Sequence, residues 1–147
     1  MPVKEWQSGA VDPGHPVLAS LGHVFRRTMT FFERETGLGV GQWFTLTALG
    51  KRDGISQGEM CRVSEVDPAR VSRMGRALEK EGLVRRERDP EDRRVVRMYL
   101  TGDGRRALER NAGVNESIER RIRSVMSEEE AGELGRLLSL LAEAMKD

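Results

Sequence analysis

Asp67-Pro68-Ala69-Arg70-Val71-Ser72-Arg73-Met74-Gly75-Arg76-Ala77-Leu78-Glu79-Lys80-Glu81-Gly82 reads as one capped helix with two unlike faces. The Asp67 carboxylate can accept from the free N–H groups of a first turn. Pro68 stands at the first helical position, where a missing N–H costs nothing. Gly82 falls just past the end, where a left-handed residue is wanted. Val71, Met74 and Leu78 recur at helical spacing and make a narrow apolar face. At about 100° per residue, Ala69, Arg73, Arg76 and Lys80 fall on the other side, flanked by Arg70 and Ser72. No acid occurs between Pro68 and Leu78. Such a face suits the DNA major groove. On an isolated helix it could equally be solvated surface, so its neighbours decide.

Upstream, Gln42 to Lys51 reads as a helix and Asp53-Gly54 as a turn. Ser56, with Glu59 three residues on, makes a capping box for a short helix. Met60 and Val63 are expected to point inward from it. Ser64-Glu65-Val66 then turns into the Asp67 helix, completing a helix-turn-helix. Downstream, Leu83 to Arg88 and Val95 to Leu100 read as two strands, with Val96, Met98 and Leu100 on one face. Asp89-Pro90-Glu91-Asp92-Arg93-Arg94 lies between them. The result is a β-hairpin wing beside the helix-turn-helix.

The ends of the chain are different. Met1 to Pro16 is rich in Pro and Gly and is expected to be a mobile arm, with Trp6 in it either loose or docked on a partner. Val17 to Glu35 is a helix striped by Leu18, Leu21, Phe25 and Phe32. Gly37 to Gly41 breaks the chain. It is no phosphate loop, because no apolar strand precedes it and no Lys-Ser/Thr pair follows. Thr101 caps a long fifth helix, expected to run from Asp103 to Val125. Ser127 and Glu130 box a sixth, striped by Leu134, Leu137, Leu138, Leu141 and Met145.

The 147 residues carry a net charge of +1, which conceals an asymmetry. Residues 67–106 hold a net +4 and residues 107–147 a net −3, so the basic excess surrounds the quoted helix. Local charge is what a polyanion meets. No apolar run is long enough to span a membrane and no signal peptide is evident. Cys61 is the only cysteine, which excludes an internal disulfide and favours a cytoplasmic location. His15 and His23 are the only histidines, and no ligand cluster accompanies them, so neither a metal nor another cofactor is expected. No nucleophile–base pair or acidic dyad marks an enzyme.

The segment from Gln42-Trp43 to Gly104 resembles the MarR family of winged-helix transcriptional regulators. The resemblance is carried by Ser56-Gln57-Gly58-Glu59-Met60, Val71-Ser72-Arg73, and Leu78-Glu79-Lys80-Glu81-Gly82-Leu83-Val84-Arg85-Arg86. The wing Asp89 to Arg94 and Leu100-Thr101-Gly102-Asp103-Gly104 complete it. It implies a mainly α fold with a small β-hairpin (α+β) in one domain, 1–147. Residues 41–104 would form the winged helix-turn-helix lobe, and helices in 17–35 and 105–147 the dimerisation region. It further implies a homodimeric repressor on a pseudo-palindromic operator, released by a small, often phenolic, ligand or by oxidation.

The DNA-contact candidates are Arg70, Ser72, Arg73 and Arg76 in the major groove, and Ser56 and Gln57 on the backbone. The resemblance puts Arg94 in the minor groove, with Asp92 orienting it or merely forming the turn, and Arg93 touches phosphate. His23 and Trp43 would border the family's ligand crevice, or simply pack. Two departures stand out. Gly39-Val40-Gly41 leaves the second helix without a hydroxyl cap. The first helix lacks the cysteine of the oxidation-sensing branch, and Cys61 reads as packed and inert. The competing reading is a dimeric interaction module whose basic helix binds an acidic protein.

Overall fold

The computed structural model describes residues 14–146. The expected arm, with Trp6, lies outside them except for its last residues. Pro16 opens the first helix, α1 (Pro16–Thr36), where His15 Nδ1 accepts from the Val17 N–H. Helix α2 (Val40–Lys51) follows. In place of a hydroxyl cap, Gln42 Oε1 accepts from the Gly39 N–H at 3.0 Å.

Strand β1 (Ile55–Ser56), helix α3 (Gln57–Ser64) and helix α4 (Pro68–Lys80) come next, then strands β2 (Val84–Arg88) and β3 (Val96–Leu100). The sheet order is β1-β3-β2, antiparallel throughout. Val84 faces Leu100 and Arg88 faces Val96 across the wing, while Ile55 faces Met98 on the other edge. The third strand was not expected, because two residues are too few to display an alternating pattern. Leu46, Leu49, Leu78, Val84 and Met98 are fully buried and form the centre of the lobe. Burying each contributes about 1.5–3 kcal/mol.

Two expectations need correction. The fifth helix is not continuous to Val125. It is α5 (Gly102–Arg110), a turn at Asn111 to Gly113, and α6 (Val114–Arg123). Asn and Gly are poor helix residues, so a break there is physically cheap. Val63 does not point inward as Met60 does: it is 73% exposed, against 4% for Met60. Helix α3 ends one residue later, and Glu65, at φ 52°, turns the chain away, leaving nothing to cover Val63.

The Leu-Thr-x-x-Gly segment is explained by packing. Thr101 Oγ1 donates to Gly82 O at 2.6 Å and accepts from the Gly104 N–H at 3.0 Å. A Cβ on Gly104 would stand 2.1 Å from the Leu83 carbonyl oxygen, so only glycine fits. Gly82 has φ 74°, as a left-handed helix terminator should.

The chain divides into two compact units after Glu109. The first holds α1 to α5 and the sheet. The second holds α6 and α7 (Glu128–Ala144). Ser127 and Glu130 form the expected capping box on α7. No residue of α7 is buried.

Candidate nucleic-acid interface

Helix α4 is held at its start by Asp67, whose Oδ1 accepts from the Arg70 N–H at 3.0 Å. Its inner face buries Val71, Gly75 and Leu78. That fixes the opposite face outward, and Ala69, Arg73, Arg76 and Lys80 are all exposed there. Ser72 is half-buried at the edge. Arg70 leans back on its own cap, 3.5 Å from Asp67 Oδ2. Arg73 and Arg76 form no ion pair among the described residues.

The arginines of the scaffold behave otherwise. Arg52 pairs with Glu59, Arg86 with Glu79, Arg105 with Asp53, and Arg97 with both Asp89 and Glu59. Carboxylates thus neutralise these four scaffold arginines, whereas Arg73 and Arg76 of the α4 face have none among the described residues.

Helix α3 packs against α4. Ser56 Oγ accepts from the Glu59 N–H, and Glu59 Oε2 accepts from the Ser56 N–H at 2.8 Å. The Ser56 bond and the Arg52 guanidinium hold the Glu59 pKa down at about 2. The N–H groups of Gln57 and Gly58 belong to the first turn, which has no intrahelical acceptors. Gln57 Nε2 is buried without a partner.

The wing carries Arg93 and Arg94, both exposed. Asp92 Oδ1 accepts from the Arg94 N–H at 3.0 Å and from its Nε at 3.3 Å, while the Arg94 side chain stays 93% exposed. Asp89, unremarked in the sequence, does more of the local ordering. Its Oδ1 accepts from the Glu91 and Asp92 N–H groups, and its Oδ2 from Arg97 Nε. The Arg97 hydrogen bond is the first reason that its carboxyl lies below the usual range. Arg97 also donates to Gly54 O, linking the wing to the turn before β1. The signal was available: Asp before Pro is a common turn initiator.

Sequence reasoning also passed over Arg62, an exposed α3 arginine without a carboxylate partner. Trp43 is 4% exposed in the core, and His23 Nε2 accepts from Arg27 Nε at 2.9 Å. A separate apolar pocket of about 400 Å³ lies among α2, α3 and α4. Phe44, Met60, Val63, Val71 and Met74 supply its apolar walls and Lys51 a cation, and neither His23 nor Trp43 lines it. Thr45 Oγ1 reaches Met74 Sδ at 2.8 Å.

These elements define a winged helix-turn-helix protein. The family model described as "MarR family" matches residues 38–96. The HTH-type transcriptional repressor MdtR of Bacillus subtilis (strain 168) is 31% identical over 108 residues, 74% of this chain and 70% of that protein. The uncharacterized HTH-type transcriptional regulator YdgJ of the same organism is 34% identical over 99 residues. That match spans 67% of this chain and 60% of YdgJ's length. Among solved structures, a probable transcriptional regulator from Pseudomonas aeruginosa superposes with a TM-score of 0.78 at 27% identity. It covers 88% of this chain and 99% of that one. The chain belongs to the MarR family of DNA-binding transcriptional regulators.

Proposed function

We propose that the chain acts as a homodimeric repressor that grips a pseudo-palindromic operator and lets go when a small apolar ligand binds. Arg73 and Arg76 of α4 read base edges in the major groove, with Ser72 and Arg70 beside them. Ser56 and Gln57 meet the backbone, Arg93 touches phosphate, and Arg94, oriented by Asp92, enters the minor groove. The single observation that carries this reading is the contrast between paired scaffold arginines and the acid-free face of α4.

Dimerisation rests on the exposed leucines of α7 and on Leu18 and Phe25 of α1, at 42% and 62% exposure. An apolar surface of this kind asks for a partner, and a second copy is the one this reading supplies. The ligand's place is the pocket walled by Phe44, Val71 and Met74, because Val71 and Met74 belong to α4 itself. Occupying it would reset the helix that carries the arginines. A phenol or other small aromatic fits the apolar wall, with Lys51 at hand for an acidic group.

The test is titration of the protein into a duplex from the region upstream of its own gene and into a random duplex of equal length. Tight, salt-dependent preference for the first is expected, weakened by small aromatic acids. Equal and weak binding to both duplexes, with tight binding to an acidic protein, would instead favour an interaction module.

A further inference from the structure

We propose that Arg86 of β2 is a positioning residue for DNA reading: held by Glu79 beneath Gly75, it sets the height and roll of α4 on the sheet, and so the presentation of Arg73 and Arg76, without touching DNA itself. This rests on the DNA-binding reading above.

Arg86 differs from the other scaffold arginines. Its side chain is only 17% exposed, whereas those of Arg52, Arg97 and Arg105 are 35–64% exposed. Its Nε is buried and has no partner. Among the described residues its one carboxylate partner is Glu79 of α4, 3.5 Å from Nη1 and itself 43% exposed. So long a pair does not offset the cost of burying a guanidinium with a donor left over. An unbranched apolar side chain would occupy the same place without that cost. Stability is therefore not what the charge supplies.

What the pair supplies is geometry. Glu79 is tied twice to one residue of the sheet: its Oε1 accepts from the Arg86 N–H at 3.1 Å, and its Oε2 meets the guanidinium. One tie fixes a distance; two from a planar carboxylate also fix the roll of α4 about its axis. Gly75, one helical turn before Glu79 on the same side of α4, brings the backbone down onto the same arginine. A Cβ on Gly75 would stand 3.2 Å from Met98 Sδ and 3.5 Å from Arg86 Cδ and Nε, so the helix rests on these two side chains. Gly75 adjoins Arg76 and lies two residues from Arg73. A change of height or roll at Gly75 therefore moves both arginines. Hydrogen bonds to base edges weaken steeply with such displacement.

The experiment compares wild type, Arg86→Met, Glu79→Gln, the double variant and Arg76→Ala for binding to the upstream-region duplex and to a random duplex at several salt concentrations. Thermal melts of each free protein accompany it. Arg86→Met should keep or raise the melting temperature, because it removes an unpaired buried donor and leaves Glu79 its backbone bond. It should nevertheless reduce the preference for the upstream duplex by about fivefold or more, the low end of what one bidentate base contact discriminates. The slope of log K against log salt should stay at the wild-type value, since no phosphate contact is lost. Glu79→Gln should lower the melting temperature, because it strands a buried cation. Adding Arg86→Met to it should restore the melting temperature but not the preference. A lower melting temperature in Arg86→Met, with equal weakening on both duplexes, would make Arg86 part of the core and nothing more. A shallower salt slope would make it a phosphate contact. Either result overturns the inference. If Arg76→Ala relaxes the preference while Arg86→Met leaves it intact, the inference fails and the DNA-binding reading stands. Wild type without preference between the duplexes sinks both.

Discussion

The winged lobe and helix α7 use the same residue for opposite ends. Leu46, Leu49 and Leu78 of the lobe are at most 1% exposed. Leu134, Leu137, Leu138 and Leu140 of α7 are 40–56% exposed. The lobe closes its own core, whereas α7 has caps, a boxed start and i,i+3 ion pairs but no core at all. Local helix signals make a helix; they do not tell it what to pack against. The difference teaches that the lobe's stability should depend on its own packing, and that of α7 on something outside the single chain.

The harshest way to break this comparison is to remove one side. Deleting residues 127–147 should leave a folded lobe but abolish both self-association and operator binding. Light scattering of the full chain should give about twice its 16.6 kDa mass, and the truncated chain a single mass. A full-length protein that stays monomeric at micromolar concentration would overturn the role given to α7. Point substitutions sharpen the same contrast. Leu46→Ala should destabilise by about 2–5 kcal/mol, because its site is fully enclosed. Leu137→Ala should lower the melting temperature most when the protein is dilute, as expected if association supports the fold. Equal, concentration-independent losses for both would mean that α7 packs within its own chain.

The two regions were also unequally legible in the sequence. In the lobe, Asp67-Pro68, Ser56…Glu59 and Gly82 are local devices whose chemistry names their position, and α3, α4 and the wing hairpin were read from them. Strand β1 was not legible, because Ile55-Ser56 is a strand only through its pairing with Met98 and Arg97. The Asp89–Arg97 contact was missed for the same reason: eight residues apart, the two side chains meet only once the hairpin closes. The break at Asn111 to Gly113 was missed because Asn and Gly are only weak helix breakers, so their presence did not divide the helix expected from Asp103 to Val125. Of the interface, the α4 face was legible because one helix carries it. The apolar pocket was not, because Phe44, Val63 and Met74 come from three helices.

A gentler test uses acid. The bonds from Ser56 and Arg52 lower the Glu59 pKa from 4.5 to about 2. A carboxyl depressed by folding adds stability that is fully present above its unfolded pKa and is lost as pH falls through the folded value. Asp89 shifts in the same direction. The lobe should therefore hold its melting temperature down to about pH 5 and lose it progressively towards pH 2. Glu59→Gln should flatten that loss. A wild-type curve without a slope in this window would show that the α3–wing network does not contribute to stability. Smaller still is the expected effect of Cys61→Ser, which should leave DNA binding in peroxide unchanged. Release of wild type by peroxide, resisted by the variant, would make Cys61 a sensor.

The central claim is that the exposed, acid-free face of α4 reads base edges. The most direct measurement is the affinity of wild type, Arg73→Ala and Arg76→Ala for every single-base variant of the bound duplex. Loss of about 1–3 kcal/mol per half-site is predicted for at least one substitution, together with relaxed preference at a defined base pair. Uniform weakening across all variants would mean that the helix only grips the backbone. No change with either substitution would contradict the claim outright.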